Sequence, residues 1–133
     1  MKQLLFSLIA LALLSNSSCE KKECPEDVIC SMIFVGINVQ VTDAKGEPVQ
    51  LSKATLSSKH LDSDLDVLSQ SPPNGPYQIL NDGHKQFLDN NEAREFLFEG
   101  WVGDRKVVEE KYLFRHDCCH VLLVEGPEAI QVD

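Results

Sequence analysis

Between residues 33 and 42 the side chains alternate without a break: Ile33, Val35, Ile37, Val39 and Val41 are separated by Phe34, Gly36, Asn38, Gln40 and Thr42. A period of two places the five β-branched residues on one face of a pleated strand, whereas a helix would scatter them around its circumference. Asp43-Ala44-Lys45-Gly46-Glu47-Pro48 then gathers turn formers ahead of Val49-Gln50-Leu51, so a hairpin or corner is predicted directly after the strand.

Further along, the periodicity weakens. Over residues 52–70, Ala54, Leu56, Leu61, Leu65 and Leu68 are scattered among Ser, Asp and Lys, which leaves strand boundaries open there, and Ser71-Pro72-Pro73-Asn74-Gly75-Pro76 is loop. Short strands are predicted at Tyr77-Gln78-Ile79-Leu80, at Glu95-Phe96-Leu97-Phe98-Glu99-Gly100-Trp101, from Val107 to Phe114, from Cys119 to Val124 and at Ala129-Ile130-Gln131-Val132. Turn signals divide them at Asn81-Asp82-Gly83, Asp89-Asn90-Asn91, Gly103-Asp104-Arg105-Lys106 and Gly126-Pro127. No stretch has a capped apolar helix face, although Gln86 to Glu95 has room for a helical turn. The class expected is all-β: an antiparallel β-sandwich of seven or eight short strands.

At the N-terminus, Lys2 and the apolar run from Leu4 to Leu14 have the make-up of a secretory signal. The run is shorter than the ~20 apolar residues that a spanning helix needs. It ends at Ser15-Asn16-Ser17-Ser18-Cys19, and the charged Glu20-Lys21-Lys22-Glu23 follows, into which a membrane helix would continue only at large cost. Small residues directly before a cysteine resemble a bacterial lipobox, with Asn16 where the usual motif has Leu; serines in place of Ala and Gly are similar to the relaxed form in Bacteroidota-type lipoproteins. The resemblance implies cleavage after residue 18, acylation of Cys19 and an outer-membrane lipoprotein of the bacterial envelope, on its periplasmic or its surface face. Each buried acyl methylene contributes about 0.8 kcal/mol to such an anchor. An ordinary signal peptide cut near Ser18 is the alternative. The chain then divides into a signal peptide at 1–18, a tether at 19–31 and a single domain at 32–133.

Loss of residues 1–18 removes one base, Lys2, and no acid, so the formal charge moves from −9 to −10. A surface this acidic repels nucleic acid and anionic lipid, which argues against both as partners. With Cys19 given to lipid, an even set of cysteines remains, Cys24, Cys30, Cys118 and Cys119, in an oxidising compartment. Adjacent Cys118 and Cys119 on a strand would point to opposite faces, so both bridges are expected to join the segment from Cys24 to Cys30 with the 118–119 pair. Which joins which stays open, and a vicinal Cys118-Cys119 bridge with a local Cys24-Cys30 bridge is the alternative.

Ile37-Asn38-Val39-Gln40-Val41-Thr42-Asp43-Ala44-Lys45-Gly46-Glu47-Pro48-Val49 resembles the opening of carboxypeptidase regulatory-like, transthyretin-like β-sandwich domains, in which a strand leads to D-x-x-G-x-P-V. The ending Asp117-Cys118-Cys119-His120-Val121 with Glu125-Gly126-Pro127-Glu128-Ala129-Ile130 looks like that of small exported lipoproteins of Bacteroidota. These resemblances imply a transthyretin-like or Ig-like sandwich acting as a stalk, spacer or adhesion module, and imply no activity.

The residues that carry chemistry point the same way. His116, Cys118, Cys119 and His120 have the atom types for zinc, but four ligands so close along an extended segment do not converge on one tetrahedral ion. Asp62-Ser63-Asp64-Leu65-Asp66 starts like a calcium loop, yet Val67 stands where the loop needs glycine. His60 and His84 read as surface residues, Trp101 as core. No serine stands in a G-x-S-x-G elbow, and no glycine loop for phosphate is present. The expectation is a noncatalytic module without cofactor or resident metal, binding a protein or glycan; the alternatives are a zinc or calcium carrier and an inhibitor acting through the Pro72 to Pro76 loop.

Overall fold

The alternating run folds as strand β1 (Gly36–Thr42), with Ile37, Val39 and Val41 buried and Asn38 and Gln40 exposed. The computed structural model describes residues 23–133; the signal peptide expected at 1–18 and the acylation expected at Cys19 lie outside the described residues. After β1 come β2 (Lys53–Ser57), β3 (Leu65–Asp66), a helical turn α1 (Val67–Gln70), β4 (Tyr77–Asn81), a 3-10 helix (Asp82–Phe87), β5 (Arg94–Val102), β6 (Arg105–His116), β7 (Val121–Glu125) and β8 (Ala129–Gln131). The protein is all-β in character, its strands forming two sheets, β4-β1-β8 and β3-β2-β5-β6-β7.

Strand β1 begins at Gly36, later than the predicted Ile33, and the cause is a change of partner. Its neighbour β4 ends at Asn81, opposite Gly36. One residue further out, the Asp82 N–H donates to the Val35 carbonyl at 3.0 Å and the Val35 N–H donates to the Asp82 carboxylate at 2.8 Å, so a side chain closes the ladder. Beyond it Ile33 and Phe34 are exposed. The predicted corner is present: Asp43 Oδ1 accepts from the N–H groups of Lys45 and Glu47, and Gly46 takes φ +83°. A positive φ there suits glycine, which has no Cβ to clash.

One pair corrects the expectation of a wholly antiparallel sandwich. β1 and β8 run parallel, from Gln40 opposite Ala129 to Thr42 opposite Gln131. Parallel neighbours need a long crossover. Here the crossover is nearly the whole domain, because β1 is its first strand and β8 its last.

Both sheets feed one core. Ile37, Val39, Val41, Ile79, Leu80 and Ile130 come from the smaller sheet, and Leu56, Phe96, Phe98, Tyr112, Phe114 and Val121 from the larger. Tyr112 and Phe114 stack with ring centroids 5.6 Å apart, and Phe96 meets Phe114 edge-on at 5.4 Å. The buried phenol of Tyr112 keeps a partner, donating to the Pro127 carbonyl at 2.7 Å. Trp101 is not part of this core. Strand β5 buries Phe96, Phe98 and Gly100 and turns Leu97, Glu99 and Trp101 outward, so parity along the strand decides the matter. The ammonium groups of Lys53 and Lys106 lie 4.5 and 5.6 Å from the Trp101 ring centroid.

The weakly periodic stretch 52–70 resolves into β2, the two-residue β3 and α1, whose N-cap is Asp66: its Oδ1 accepts from the Leu68 N–H at 3.0 Å. The helical turn anticipated over residues 86–95 lies earlier, at 82–87, capped reciprocally by Asn81 and His84.

Candidate functional site: the bridged corner around His120

Strand β6 ends at His116 and β7 starts at Val121, which leaves Asp117, Cys118, Cys119 and His120 as a tight reversal. Asp117 organises it by accepting, at Oδ1, the N–H groups of Cys119 at 2.9 Å and His120 at 2.7 Å, while its own N–H donates to the His120 carbonyl. Cys118 takes φ +77° to complete the turn. The strand predicted to start at Cys119 therefore starts at Val121, and the two cysteines diverge because of the turn, not because of alternation along a strand.

Cys118 is bonded to Cys24 and Cys119 to Cys30, with Cα–Cα distances of 5.5 and 5.2 Å. Both bridges thus tie the irregular segment after residue 23 to this one reversal. They also bring Ser31, next to Cys30, beside His120, next to Cys119. The Ser31 hydroxyl lies 2.9 Å from His120 Nε2, and His120 Nδ1 lies 2.8 Å from Asp82 Oδ2.

The protons in this chain of contacts follow from Asp82. Its Oδ2 accepts the Val35 N–H and its Oδ1 the Val121 N–H, both at 2.8 Å. Burial works to raise the Asp82 pKa, but the hydrogen bonds from Val35, His120 and Val121 together outweigh it and hold the carboxyl below its usual range. An ionised carboxylate only accepts. The hydrogen between Asp82 and His120 therefore sits on Nδ1, and whenever the ring is neutral its Nε2 is the acceptor and the Ser31 hydroxyl the donor. Asp117 is likewise held low, chiefly by the His120 N–H, with the Cys119 N–H adding to it against burial.

The segment His116 to His120 is split among separate partners. His116 Nδ1 accepts the Cys118 N–H at 3.0 Å, and burial, followed by the nearby Lys85 ammonium, lowers its pKa. Ligand atoms of Cys24, His116 and Cys118 lie within 4.8 Å of one another, yet two of the three are the sulfurs of a disulfide. That donor set suits a soft metal only after reduction, because the thiolate is the ligand.

Elsewhere, Asp62, Asp64 and Asp66 are all exposed, and Asp66 is engaged as a helix cap. His84 is half-buried and accepts the Asn81 N–H at Nδ1, 3.3 Å, which corrects its reading as a surface residue without a partner. Desolvation lowers the pKa of His60, which is half-buried too. The Pro72 to Pro76 loop is closed by the Gly75 N–H on the Pro72 carbonyl at 3.3 Å and borders clefts with Tyr77 and Leu51.

Sequence reasoning missed Ser31 and Asp82. They stand 89 and 38 residues from His120, so no spacing connects them, and Asn81-Asp82-Gly83 has the composition of an ordinary turn. No protein family matches the chain, and no curated protein or solved structure matches it.

Proposed function

We propose that this chain is a cell-envelope lipoprotein, held in the outer membrane through acylated Cys19, whose transthyretin-like or Ig-like sandwich is a binding or structural module for a protein or glycan. The observation that carries this reading is the double fastening of the segment just after the anchor. Cys24 is five residues beyond Cys19, a span of at most roughly 18 Å when fully extended, and from Cys24 onward the chain is bonded to the domain. The module is thereby held close to its anchor at a fixed corner. The acidic charge fits a partner other than nucleic acid or anionic lipid.

The test is intact-protein mass and a nonreducing peptide map of protein taken from membranes. A mass for a chain starting at acylated Cys19, with peptides linked as Cys24–Cys118 and Cys30–Cys119, is the expected result. An unacylated chain, or one retaining residues 1–18, sinks the anchored reading. A zinc-carrier reading has one observation in its favour, the proximity of Cys24, His116 and Cys118 ligand atoms. Zinc retained stoichiometrically by the reduced protein and lost in His116→Ala supports that reading; no retention removes it.

A further inference from the structure

The contacts from Ser31 through His120 to Asp82 have a direction, and the direction has chemical meaning. The carboxylate is pinned by two backbone N–H groups and, being ionised, takes Nδ1–H from the imidazole, which in the neutral ring leaves the Nε2 lone pair facing the serine hydroxyl at 2.9 Å. This is the order of roles in which a histidine takes the proton from a serine while a carboxylate fixes the tautomer and steadies the imidazolium that results. We propose that Ser31 is an acyl-transfer nucleophile, with His120 as its general base and Asp82 as the residue that positions the imidazole, acting on esters with an apolar acyl group.

Three features of the corner support this beyond the two distances. The base and its positioning carboxylate are shielded, with side chains 18 % and 13 % exposed, whereas Ser31 is exposed and open to a substrate. The pair is preorganised: the Cys30–Cys119 bridge directly precedes Ser31 on one strand of chain and His120 on the other, so a covalent clamp sets their spacing. Side chains around the nucleophile in the chain are apolar and exposed, Ile29 at 95 %, Met32 at 104 %, Ile33 at 70 % and Phe34 at 65 %, an unusual density of uncovered hydrophobic surface for so short a stretch. They offer contact to a hydrocarbon chain.

In the reaction the Ser31 oxygen forms a bond to the ester carbonyl carbon as its proton passes to His120 Nε2. The carbon–oxygen bond to the alcohol then breaks, and the departing oxygen takes that proton. Water attacks the acyl-Ser31 ester with His120 again as base, releasing the carboxylic acid and restoring the hydroxyl. Asp82 stays ionised throughout. None of the clefts lined by residues 57–59 and 95–97, by residues 46–50 and 74–77, or by residues 68–77 takes in Ser31. Covalent labelling, which needs no enclosed oxyanion site, is therefore the readout chosen.

The experiment exposes the mature protein, both bridges intact, to a long-chain alkyl fluorophosphonate and locates the adduct by peptide mass. The expected result is a phosphonyl group on Ser31, absent from Ser31→Ala, unchanged in Ser63→Ala, and formed about 100-fold more slowly in His120→Gln, the lower end of what a general base contributes. Circular dichroism of each variant separates loss of labelling from loss of fold, and Ser31→Ala, altered only at an exposed hydroxyl, is the variant that keeps the fold. No adduct on the native protein, or labelling of Ser31 at the same rate in His120→Gln or in the reduced, denatured chain, overturns the proposal.

Discussion

Replacing Asp82 with Ala leaves the N–H groups of Val35 and Val121 and the Nδ1–H of His120 without their acceptor in a shielded corner. Each stranded buried donor costs about 1–3 kcal/mol, less where water enters, so Asp82→Ala should destabilise the domain by about 2–4 kcal/mol, measured as a shift of the urea midpoint. The pH dependence follows from the sign of the shift. Asp82 and Asp117 are both depressed on folding, so their contribution is complete above the ordinary aspartate range and is lost as pH falls through that range toward the folded values. Urea midpoints taken between neutral pH and pH 3 should fall with acid in the native chain and fall less steeply in Asp82→Asn; parallel curves would refute the assignment. At Gly126 the backbone has φ +137°, and a Cβ there would stand 2.3 Å from the Tyr112 ring. Gly126→Ala should therefore cost at least about 2 kcal/mol, from backbone strain and displacement of a core ring together. Neither Asp82 nor Gly126 differs in the sequence from any other turn residue. What singles them out is a neighbour far away in the chain, which composition and spacing do not encode.

Strands were legible where both their faces differ in polarity. The alternation of β1 and the Phe96, Phe98 pattern of β5 announce which side is buried, since period two is all that a half-buried strand requires. β3 was not legible because two residues have no period, and the parallel β1–β8 pair was not because β8 has three residues whose order carries no mark of direction. Trp101 shows the limit from the other side: its apolar character suggested burial, while its position one residue after Gly100 places it outward. The lysine ammonium groups over its face make cation–π contacts with the ring. Lys53→Ala should red-shift the Trp101 emission and cost no more than about 1 kcal/mol, and an unchanged spectrum would show that the ammonium does not rest on the ring.

For the molecule as a whole, the two bridges close loops with sequence separations of 94 and 89, and their half-cystines cross in order along the chain. Once one bridge is made, the second closes only the short circuit from 24 to 30 and 118 to 119. The chain-entropy model then gives about 2 kcal/mol for losing either bridge and about 4–5 kcal/mol more for losing the remaining one. Cys24→Ser/Cys118→Ser and Cys30→Ser/Cys119→Ser should each fall near the smaller figure, and the fourfold variant should exceed their sum; simple additivity in denaturant midpoints would contradict it. That cysteines 24 and 30 would reach to 118 and 119 was readable from their number and placing, but the pairing depended on the reversal at Asp117.

The same crossed bridges decide how the molecule responds to a pull. Tension entering at Cys24 passes across its sulfurs to Cys118 and bypasses the strands between, so the share of the core that those strands supply is outside the load path. What remains in line is the chain from 119 to 133, which yields at most about 50 Å of slack when drawn straight. Its last strand, β8, lies parallel to β1, so it must be sheared along its length instead of unzipped bond by bond. A tug between Cys24 and Asp133 is therefore borne by a short strap, with the rest of the folded domain riding alongside.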